Sequence, residues 1–513
     1  MNNRRRSNGV SSPSRQNGGD VDKPLLHGKN HNNGSPHRRS LRSSLLIASN
    51  TAGRSQMALV LSAGFVAALI ALCVFDSSRH YIPTAPPRNM IFRGKKSAYV
   101  KVPEQFRRTF HIPDGTKFRR TVARAFRHNG FRKADEPEEA HFIIDKGEDP
   151  RRYPHLEAWQ RYNNIPGTKQ WESKDRFIKG FQRYQQNNPG TKFEFLPETY
   201  RLSTDEGFEA FQKRLFHQGG INFPWVLKNP EVNNGKGVEM MGPHSTELKT
   251  VFDRVERESD EADYIIQEYV CNELTWWRNK KFDLRFYWAV ASVDPLIVLY
   301  HDGYVRVGNA VYNETEFNGP RTQHLTTHTY LSAEEKGTIE ELEERIRYHY
   351  QQNKRKLKKR IKIDPFEHVR NQFKEALAQT VVAFKDLTFG GGPHHERYKF
   401  ENSWDLNGAD FVLDNDLDVW YIEAQEAPGL EEEFDFRVEM HRDLYRPLIE
   451  TVAEIQDKLE KDPTANVLPL SNLGKWEIIY AGSGVDQWSF EYKGYERAKS
   501  KPTCTIPPAK TKK

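Results

Sequence analysis

Hydrophobic and polar positions change their pattern several times along the chain. Residues 1–56 are rich in Asn, Ser, Gly and Arg and lack Phe, Tyr and Trp, so they cannot bury a core. Residues 57–75 are apolar and uncharged throughout, and residues 76–99 contain Pro83, Pro86 and Pro87. We therefore expect a disordered basic segment, a transmembrane anchor and a linker ahead of the folded body.

Apolar runs alternate with amphipathic helical stretches from residue 100 onward. The apolar runs predict strands over residues 140–144, 225–228, 264–270, 282–293 and 296–301. Helical periodicity predicts helices over residues 204–217, 245–256, 332–350 and 364–384. This mixture is typical of an α+β body rather than a sandwich or a bundle. We expect the folded domain to cover residues 100–455, and residues 456–513 to form a C-terminal tail whose aromatic segment, 476–480, packs back on the body.

A hairpin near the end of the body carries the most informative polar pattern. The apolar run 419–422 leads directly into Glu423 and Gln425, which face the same side of a strand because they are two residues apart. Asp410 lies on the preceding apolar strand, 409–413, across the turn 414–418. Such oxygen ligands suit Mg²⁺, which shares its remaining positions with water and phosphates. The alternative is a hairpin with an ordinary solvated face.

The apolar segment 57–75 is 19 residues long, about enough to cross the hydrocarbon core of a bilayer. Residues 1–56 hold ten Lys and Arg residues against two acids, which favours a cytosolic N-terminus and a single-pass, type II membrane protein with a lumenal body. The far flank is also basic, so the opposite orientation stays open. Glycosylation of the sequon at 313–315 would indicate a lumenal body.

Composition adds few constraints on function. The net charge of +7 is small for 513 residues, and it does not indicate a nucleic-acid partner because such proteins concentrate their charge. Cys73, Cys271 and Cys504 lack metal-ligand spacing, so they predict neither a zinc site nor a disulfide framework. The segment 354–362 holds seven basic residues in nine, which indicates either a solvated helix face or a docking site for an acidic partner.

Further charged residues follow predicted strands. Lys228 ends an apolar strand and is followed by a glycine-containing loop with Lys236, an arrangement that can bind phosphate or simply form a turn. Alternation along the next strand places Lys281, Asp283 and Arg285 on one face. That face is either the wall of a charged cleft or a salt-bridged surface.

Taken in order, short motifs across residues 100–455 resemble the tubulin tyrosine ligase-like family of the ATP-grasp superfamily. The matching segments are 164–167 (NIPG) with Lys174, 196–202 (LPETYRL), 225–228 (WVLK), 235–237 (GKG), 266–269 (IQEY), 281–285 (KFDLR), Arg306, 324–326 (HLT) and 410–428. Each motif is short, but their joint occurrence in this order is specific.

The resemblance implies an ATP-grasp-like body of several subdomains that uses ATP and Mg²⁺. It implies that the nucleotide is bound by three groups of residues: phosphate contacts from Lys174, Lys228 and Lys236, an adenine hinge of Gln267, Glu268, Tyr269 and Val270, and nucleoside contacts from Lys281 and Asp283. It implies catalytic roles for Arg285, Arg306, His324 and Thr326. The implied metal ligands are Asp410, Glu423 and Gln425. Gln425 departs from the family pattern, which has Asn at this position, and the longer side chain moves the carbonyl oxygen outward by about one methylene group.

The activity implied by the resemblance is the ATP-dependent joining of a free amino acid to a protein glutamate. In that family, ATP phosphorylates the acceptor carboxylate and the amino group then displaces phosphate. Candidate amino acids are Glu, Gly and Tyr, and the acceptor is an acidic protein tail such as that of tubulin. Two alternatives stay open: the same chemistry on a non-tubulin lumenal acceptor, and a non-catalytic ATP-grasp-like binding protein.

Overall fold

The computed structural model describes the folded body in several stretches. The described residues are 100–116, 118–145, 156–165, 167–230, 232, 235–257, 263–317, 321–326, 336–388, 403–426, 428–432, 434–482 and 486–487. They belong to one compact unit, Arg88–Lys513. The predicted disordered segment 1–56, anchor 57–75 and linker 76–99 lie outside the described residues. No helix in the described stretches is long and apolar enough to cross a membrane.

Strands and helices alternate along the body. The strands are β1 (Thr109–His111), β2 (Arg132–Lys133), β3 (Phe142–Ile143), β4 (Arg161–Tyr162), β5 (Thr199–Arg201), β6 (Trp225–Lys228), β7 (Val238–Met241), β8 (Ile265–Glu268), β9 (Lys280–Val293), β10 (Leu296–Val311), β11 (Lys336–Gly337), β12 (Asp405–Leu413), β13 (Val419–Glu426), β14 (Glu477–Gly482) and β15 (Asp486–Gln487). The helices are α1 (Arg119–His128), α2 (Lys169–Glu172), α3 (Lys174–Asn187), α4 (Asp205–His217), α5 (Thr246–Arg257), α6 (Ile339–Asn353), α7 (Pro365–Thr388) and α8 (Asp435–Lys461).

The largest sheet has the strand order β13-β12-β9-β10-β14-β15, with β11 paired to β10. Its side chains alternate between two cores, as the pleat of a strand requires. Phe286 and Trp288 pack into the core that contains Phe373 of α7, whereas Tyr287 and Ala289 pack into the core that contains Leu448 of α8. Because helices cover both faces, the sheet is a rigid platform on which polar side chains near the strand ends are held in place.

Two smaller sheets flank this platform. β2-β1-β3-β4 is parallel, and β5-β8-β6-β7 is antiparallel. Helices α4 and α5 cover one face of the antiparallel sheet, where Phe211 and Val251 pack with Trp225. The covered face stabilises the small sheet and leaves side chains of its other face free to line a cavity.

The mixed body of helices and strands predicted from the sequence is confirmed. The predicted strand 225–228 coincides with β6, and the predicted helices 204–217, 245–256 and 364–384 agree with α4, α5 and α7 within four residues at either end. The predicted helix 332–350 is wrong at its start, because Thr338 caps α6 in a capping box with Glu341 and β11 precedes it.

The C-terminal part of the body is more extensive than the pattern of the sequence indicates. The predicted division between residues 455 and 456 falls inside α8, whose buried face continues through Leu459. Trp476 is only 2% exposed and donates from Nε1 to the carbonyl oxygen of Leu444 at 2.8 Å. Residues 476–480 thus pack on the body as expected, and they do so partly as a strand of the main sheet, β14 against β10.

Candidate active site

A cavity of about 670 Å³ is lined by residues of both the main sheet and the small antiparallel sheet. It gathers most of the side chains that the sequence selects. These are Lys174, Lys228, Gln267, Glu268, Tyr269, Val270, Lys281, Asp283, Arg285, Arg306, His324, Thr326, Asp410, Glu423 and Gln425. Lys236 is exposed and does not belong to this lining.

Two arginines and two aspartates form the floor of the cavity. Strand register places Arg285 opposite Asp410 on β12, and Asp283 opposite Arg306 on β10. Arg285 donates to both oxygens of Asp410, from Nη2 at 3.0 Å. Arg306 Nη2 lies 2.9 Å from the same carboxylate, and Arg306 Nε donates to Asp283 at 2.5 Å. The hydroxyl of Thr326 donates to the other oxygen of Asp283. The charged face predicted on β9 is therefore the wall of a cleft.

Contacts between the arginines and the aspartates keep these side chains in their charged forms. Burial by itself would raise the pKa of Asp410, but Arg285 and Arg306 outweigh burial and lower that pKa to about 2. Burial likewise opposes the charge of both guanidinium groups, yet the nearby aspartates hold the pKa of each above its usual value. The carboxylate is thus ionised and both arginines are cationic at any physiological pH.

Gly408 on β12 leaves space for the side chain of Arg285 to reach Asp410. A Cβ at Gly408 would lie 3.2 Å from Cδ of Arg285 and 3.1 Å from Pro428. Both contacts are closer than ordinary van der Waals packing. The sequence Asn407-Gly408-Ala409-Asp410 therefore leaves room for the arginine side chain to cross the strand. Sequence reasoning missed this role of Gly408, although an isolated glycine in a strand is a known signal of close approach.

Asp410, Glu423 and Gln425 converge as predicted. Glu423 pairs with Asp410 and Gln425 with Gly408, and a register shift follows between Asp410 and Phe411. Gln425 donates from its amide nitrogen, Nε2, to Oδ2 of Asp410 at 3.3 Å and to Oε1 of Glu423 at 2.9 Å. The described residues hold no group of three or more His, Cys, Asp or Glu side chains that could bind a metal ion. The carboxylates of Asp410 and Glu423 nevertheless fit Mg²⁺, because that ion takes few protein ligands and completes its shell with water and phosphate. Gln425 would supply an oxygen to the same point only with its amide group turned over.

Two lysines also belong to the lining of the cavity. Lys228, at the end of β6, donates to Oε1 of Gln267 at 2.7 Å, and Gln267 donates to Thr199 at 2.9 Å. Burial lowers the pKa of Lys228 to about 8, with Glu423 opposing that effect and Lys174 adding to it. Lys174 Nζ lies 3.8 Å from Oε2 of Glu423. Both lysines thus bring positive charge to the part of the lining that contains Glu423, an arrangement that can bind phosphate.

Two backbone N–H groups of the segment predicted to bind adenine already donate hydrogen bonds within the protein. The N–H of Glu268 donates to the carbonyl of Glu198 at 2.8 Å, and the N–H of Tyr269 donates to that of Pro224 at 3.1 Å. A base must therefore be recognised by other atoms of residues 267–270. Sequence reasoning missed the apolar walls of this part of the cavity, which come from two separate clusters. Val226, Val238 and Met240 belong to one, and Val270, Val412 and Ile422 to the other.

Lys281 and His324 have protein partners within the lining. Lys281 donates to both oxygens of Glu273, a buried carboxylate that sequence reasoning missed. His324 Nδ1 lies 3.0 Å from the hydroxyl of Tyr269, and its Nε2 lies 3.0 Å from the carbonyl of Glu316. Burial lowers the pKa of His324, so its ring is neutral at pH 7. Through these contacts, Lys281 and His324 can hold the neighbouring residues of the hinge in place. The predicted catalytic role of His324 stays a prediction.

Comparison with known proteins gives a consistent result. A model of the tubulin-tyrosine ligase family matches residues 153–462, more than half of the chain. The protein polyglycylase TTLL10 of Mus musculus is 25% identical over 317 residues, which cover 58% of this chain and 42% of that protein. The tubulin polyglutamylase TTLL7 of Mus musculus is 25% identical over 346 residues, covering 63% of this chain and 35% of that protein.

A third relative shows the same pattern of partial coverage. The tubulin polyglutamylase TTLL5 of Mus musculus is 24% identical over 290 residues, covering 54% of this chain and 20% of that protein. The matched part of the chain thus spans less than half the length of each of these curated relatives.

Proposed function

Because the chain belongs to the tubulin-tyrosine ligase family, we propose that it is an ATP-dependent ligase that joins an amino acid to a glutamate side chain of an acidic protein tail. The amino acid is Glu, Gly or Tyr, and the acceptor is an acidic tail such as that of tubulin or, as the alternative, the tail of a non-tubulin lumenal protein. The relatives named as polyglycylase and polyglutamylases support this class of substrate. The observation that carries the proposal is the convergence of Asp410, Arg285, Arg306, Lys174 and Lys228 in one cavity.

The reaction has two steps. The γ-phosphoryl group of ATP passes to an oxygen of the acceptor glutamate, and ADP leaves. The amino nitrogen then attacks the acyl carbon, inorganic phosphate leaves with the C–O electron pair, and the nitrogen gives a proton to phosphate or solvent. A carboxylate resists attack until it is phosphorylated, so the site must hold two anionic substrates and a nucleotide together.

The arginine cluster suits this first step. Arg285 and Arg306 remain cationic, and each guanidinium has five N–H donors, of which Asp283 and Asp410 engage only some. The remaining donors can bind the transferred phosphoryl group and a substrate carboxylate. Lys174 and Lys228 would contact the nucleotide phosphates. An ATP-grasp-like arrangement, with the nucleotide between the small antiparallel sheet and the main sheet, follows from this placement.

Asp410, Glu423 and Gln425 are the residues proposed to hold Mg²⁺. When bound, the ion would offset the negative charge that develops during phosphoryl transfer. Asp410 has a second task, since it also orients Arg285 and Arg306.

Incorporation of labelled amino acids tests the proposal. The full chain, extracted in detergent, is incubated with ATP, Mg²⁺, a glutamate-rich peptide and labelled Glu, Gly or Tyr. We expect incorporation of one of them that requires ATP and is lost in the Asp410→Asn variant. Absence of incorporation with every amino acid, by a protein that folds and binds ATP, would refute ligase activity.

Gln425 favours a second candidate, a non-catalytic ATP-grasp-like binding protein. Its amide lies farther from the strand than the Asn of the family pattern would, which weakens one metal position. This candidate predicts ATP binding without ATP turnover. Restoration of turnover by Gln425→Asn would show that this position alone limits activity.

Membrane attachment is part of the proposal. Residues 57–75 are proposed to anchor the chain as a single-pass protein, and the support is the length and apolar character of that segment. Partitioning of the full chain into membranes, compared with a variant lacking residues 57–75, measures this directly.

A further inference from the structure

The turn that follows β10 carries an acceptor sequence for N-linked sugar, outside the candidate active site. Asn313, Glu314 and Thr315 form the sequence, and Asn313 and Thr315 are both exposed. Tyr312, immediately before them, is only 6% exposed. We propose that Asn313 carries an N-linked glycan and that the ligase body matures in a compartment that both glycosylates and oxidises proteins.

The local geometry of the turn suits modification. The side-chain oxygen of Asn313 accepts from the backbone N–H of Thr315 at 3.2 Å and from its hydroxyl at 2.9 Å. This is an Asx turn, in which Asn bonds the backbone two residues on. Since all of these bonds lie within three residues, the turn can form in a newly made chain before the rest of the body folds. Modification of a sequon precedes or accompanies folding, so a locally determined turn is what it requires.

The folded body can also accommodate a glycan at this position. The backbone N–H of Tyr312 donates to the carbonyl of Asn279 at 2.7 Å, and His324 holds the carbonyl of Glu316, so the turn is anchored on both sides. Within the described part of the chain, the Asn313 amide nitrogen donates to Glu316 alone, at 3.2 Å, in an exposed contact. An attached sugar would therefore displace no core side chain.

A neighbouring cysteine supplies independent support for the compartment. Cys271 is buried and disulfide-bonded. Asn272, the next residue, donates from its backbone N–H to Glu314 of the sequon at 3.3 Å. Disulfides persist mainly in oxidising compartments and are rare in the cytosol. The buried cysteine thus lies one residue from a backbone contact to the sequon, and both features indicate the same environment.

The covalent steps use reagents of such a compartment. The Asn313 amide nitrogen displaces a pyrophosphate group from the first sugar of a lipid-linked oligosaccharide, forming a C–N bond as the C–O bond breaks and the nitrogen loses one proton. The two thiols give two electrons and two protons to a disulfide-carrying oxidoreductase. The predicted span 57–75 with a cytosolic N-terminus would deliver the body to this side of a membrane.

This inference goes beyond ligase activity, because it restricts the acceptor. An acceptor in the same compartment would be an acidic protein tail of the secretory pathway, and cytosolic tubulin would not meet the body. The proposed chemistry is unchanged, since it needs only accessible glutamate side chains, ATP and an amino acid.

Glycosidase treatment of the full chain tests the site. The chain is translated with microsomes, and its mobility is compared before and after an enzyme that removes N-linked glycans. We expect a shift that disappears in Asn313→Gln and Thr315→Ala but remains in Thr315→Ser, which keeps the acceptor hydroxyl. The sequon at Asn33 lies on the other side of the predicted span, so Asn33→Gln is the matched control and should leave the shift unchanged.

Two outcomes would overturn the inference. One is the lack of any shift, and the other is a shift that is lost in Asn33→Gln but kept in Asn313→Gln. Thiol trapping gives a separate readout: Cys271 should react with maleimide under denaturing conditions only after reduction, and labelling before reduction would contradict the oxidised state. None of these measurements depends on ligase activity, so failure of the proposed function would be distinguished from failure of this site.

Discussion

Asp410 determines the charge balance of the candidate active site at the scale of single residues. It is 3% exposed and contacts Arg285, Arg306 and the amide of Gln425. A buried carboxylate of this kind is tolerable only because two guanidinium groups surround it. Glu423 differs, since it is partly exposed and its oxygens lie beside Lys174 and the amide nitrogen of Gln425 rather than beside the arginines. A change at Glu423 should therefore disturb the arginine cluster less than a change at Asp410.

We predict that Glu423→Gln abolishes ATP turnover and leaves the fold intact. Removing the charge weakens metal binding without breaking the arginine cluster, and we expect a loss of roughly 100-fold or more. Turnover is measured by ADP release, and folding by thermal unfolding. Gln425→Asn is the matched control, because it keeps an amide oxygen and should retain turnover. Wild-type turnover in Glu423→Gln would contradict the assignment of the metal ligand.

We predict that Lys228 makes the affinity for ATP depend on pH. Burial lowers its pKa to about 8, so the free protein loses this cation as the pH rises through 8. The Michaelis constant for ATP should therefore increase by about tenfold between pH 7 and pH 9. Lys228→Arg keeps its charge in this range and should abolish the increase. An identical pH profile for the two proteins would exclude Lys228 as the titrating group.

The lowered pKa of Lys228 also makes the free energy of unfolding depend on pH. The unfolded chain keeps the Lys228 proton up to its ordinary pKa near 10.5, whereas the folded chain loses it near pH 8. The unfolded state thus binds more protons between these values, and the contribution of Lys228 to the free energy of unfolding rises with pH there. Denaturant unfolding of Lys228→Met should lack this component.

At the scale of elements, the pairing of β9 with β10 sets the position of the arginines. The register shifts between His301 and Tyr304, next to Arg285. Gly303 lies at this irregularity, and a Cβ there would come within 1.7 Å of the carbonyl oxygen of Arg285. No rotation of a side chain relieves a clash with backbone. The close approach of the two strands thus depends on glycine at this position.

We predict that Gly303→Ala separates the strands and misplaces Arg285. The protein should lose about 2 kcal/mol or more of stability and most of its ATP turnover. Gly308→Ala on the same strand is the control, because its Cβ would approach no heavy atom closer than 3.3 Å. Thermal unfolding and ADP release measure both effects, and equal behaviour of the two variants would show that the bulge tolerates a side chain.

At the scale of the whole molecule, the basic residues of segment 354–362 have two different environments, because some pair with aspartates and others are exposed. It is an irregular connection between α6 and α7 rather than a helix face. Lys358 and Lys359 pair with Asp416 and Asp418, next to the turn of the β12–β13 hairpin. Lys354, Arg355 and Lys356 are exposed. Part of the segment thus holds the hairpin, and the exposed part is available to attract an acidic acceptor.

We predict that changing Lys354, Arg355 and Lys356 together to Glu raises the Michaelis constant for an acidic peptide about tenfold at low salt. The effect should fade near 1 M salt, where charges are screened over about 3 Å. The same change at Lys192, Lys213 and Lys249, which are also exposed, is the control for net charge. Basal ATP turnover should not change in either variant. Equal Michaelis constants for the two triple variants would exclude a docking role for this segment.

The sequence by itself determined the composition of the site and most of the elements that carry it. Period-two alternation identified the polar face of β9, and spacing identified Asp410, Glu423 and Gln425, because both patterns depend only on the geometry of a strand. Family motifs added Lys174, Arg306 and Thr326, which no local pattern would have joined to them. The helices with strong amphipathic periodicity were also found, with errors mainly at their ends.

Only the tertiary structure decided which of these residues meet and what else they require. The pairing of Arg285 and Arg306 with one aspartate, the opening at Gly408, the apolar walls around the hinge and the buried Glu273 all arise between segments far apart in sequence. The protonation of Asp410 and Lys228 likewise depends on burial and on neighbouring charges, which a linear pattern does not contain. Local geometry is encoded over a few residues, whereas burial and electrostatic contact are properties of the packed chain.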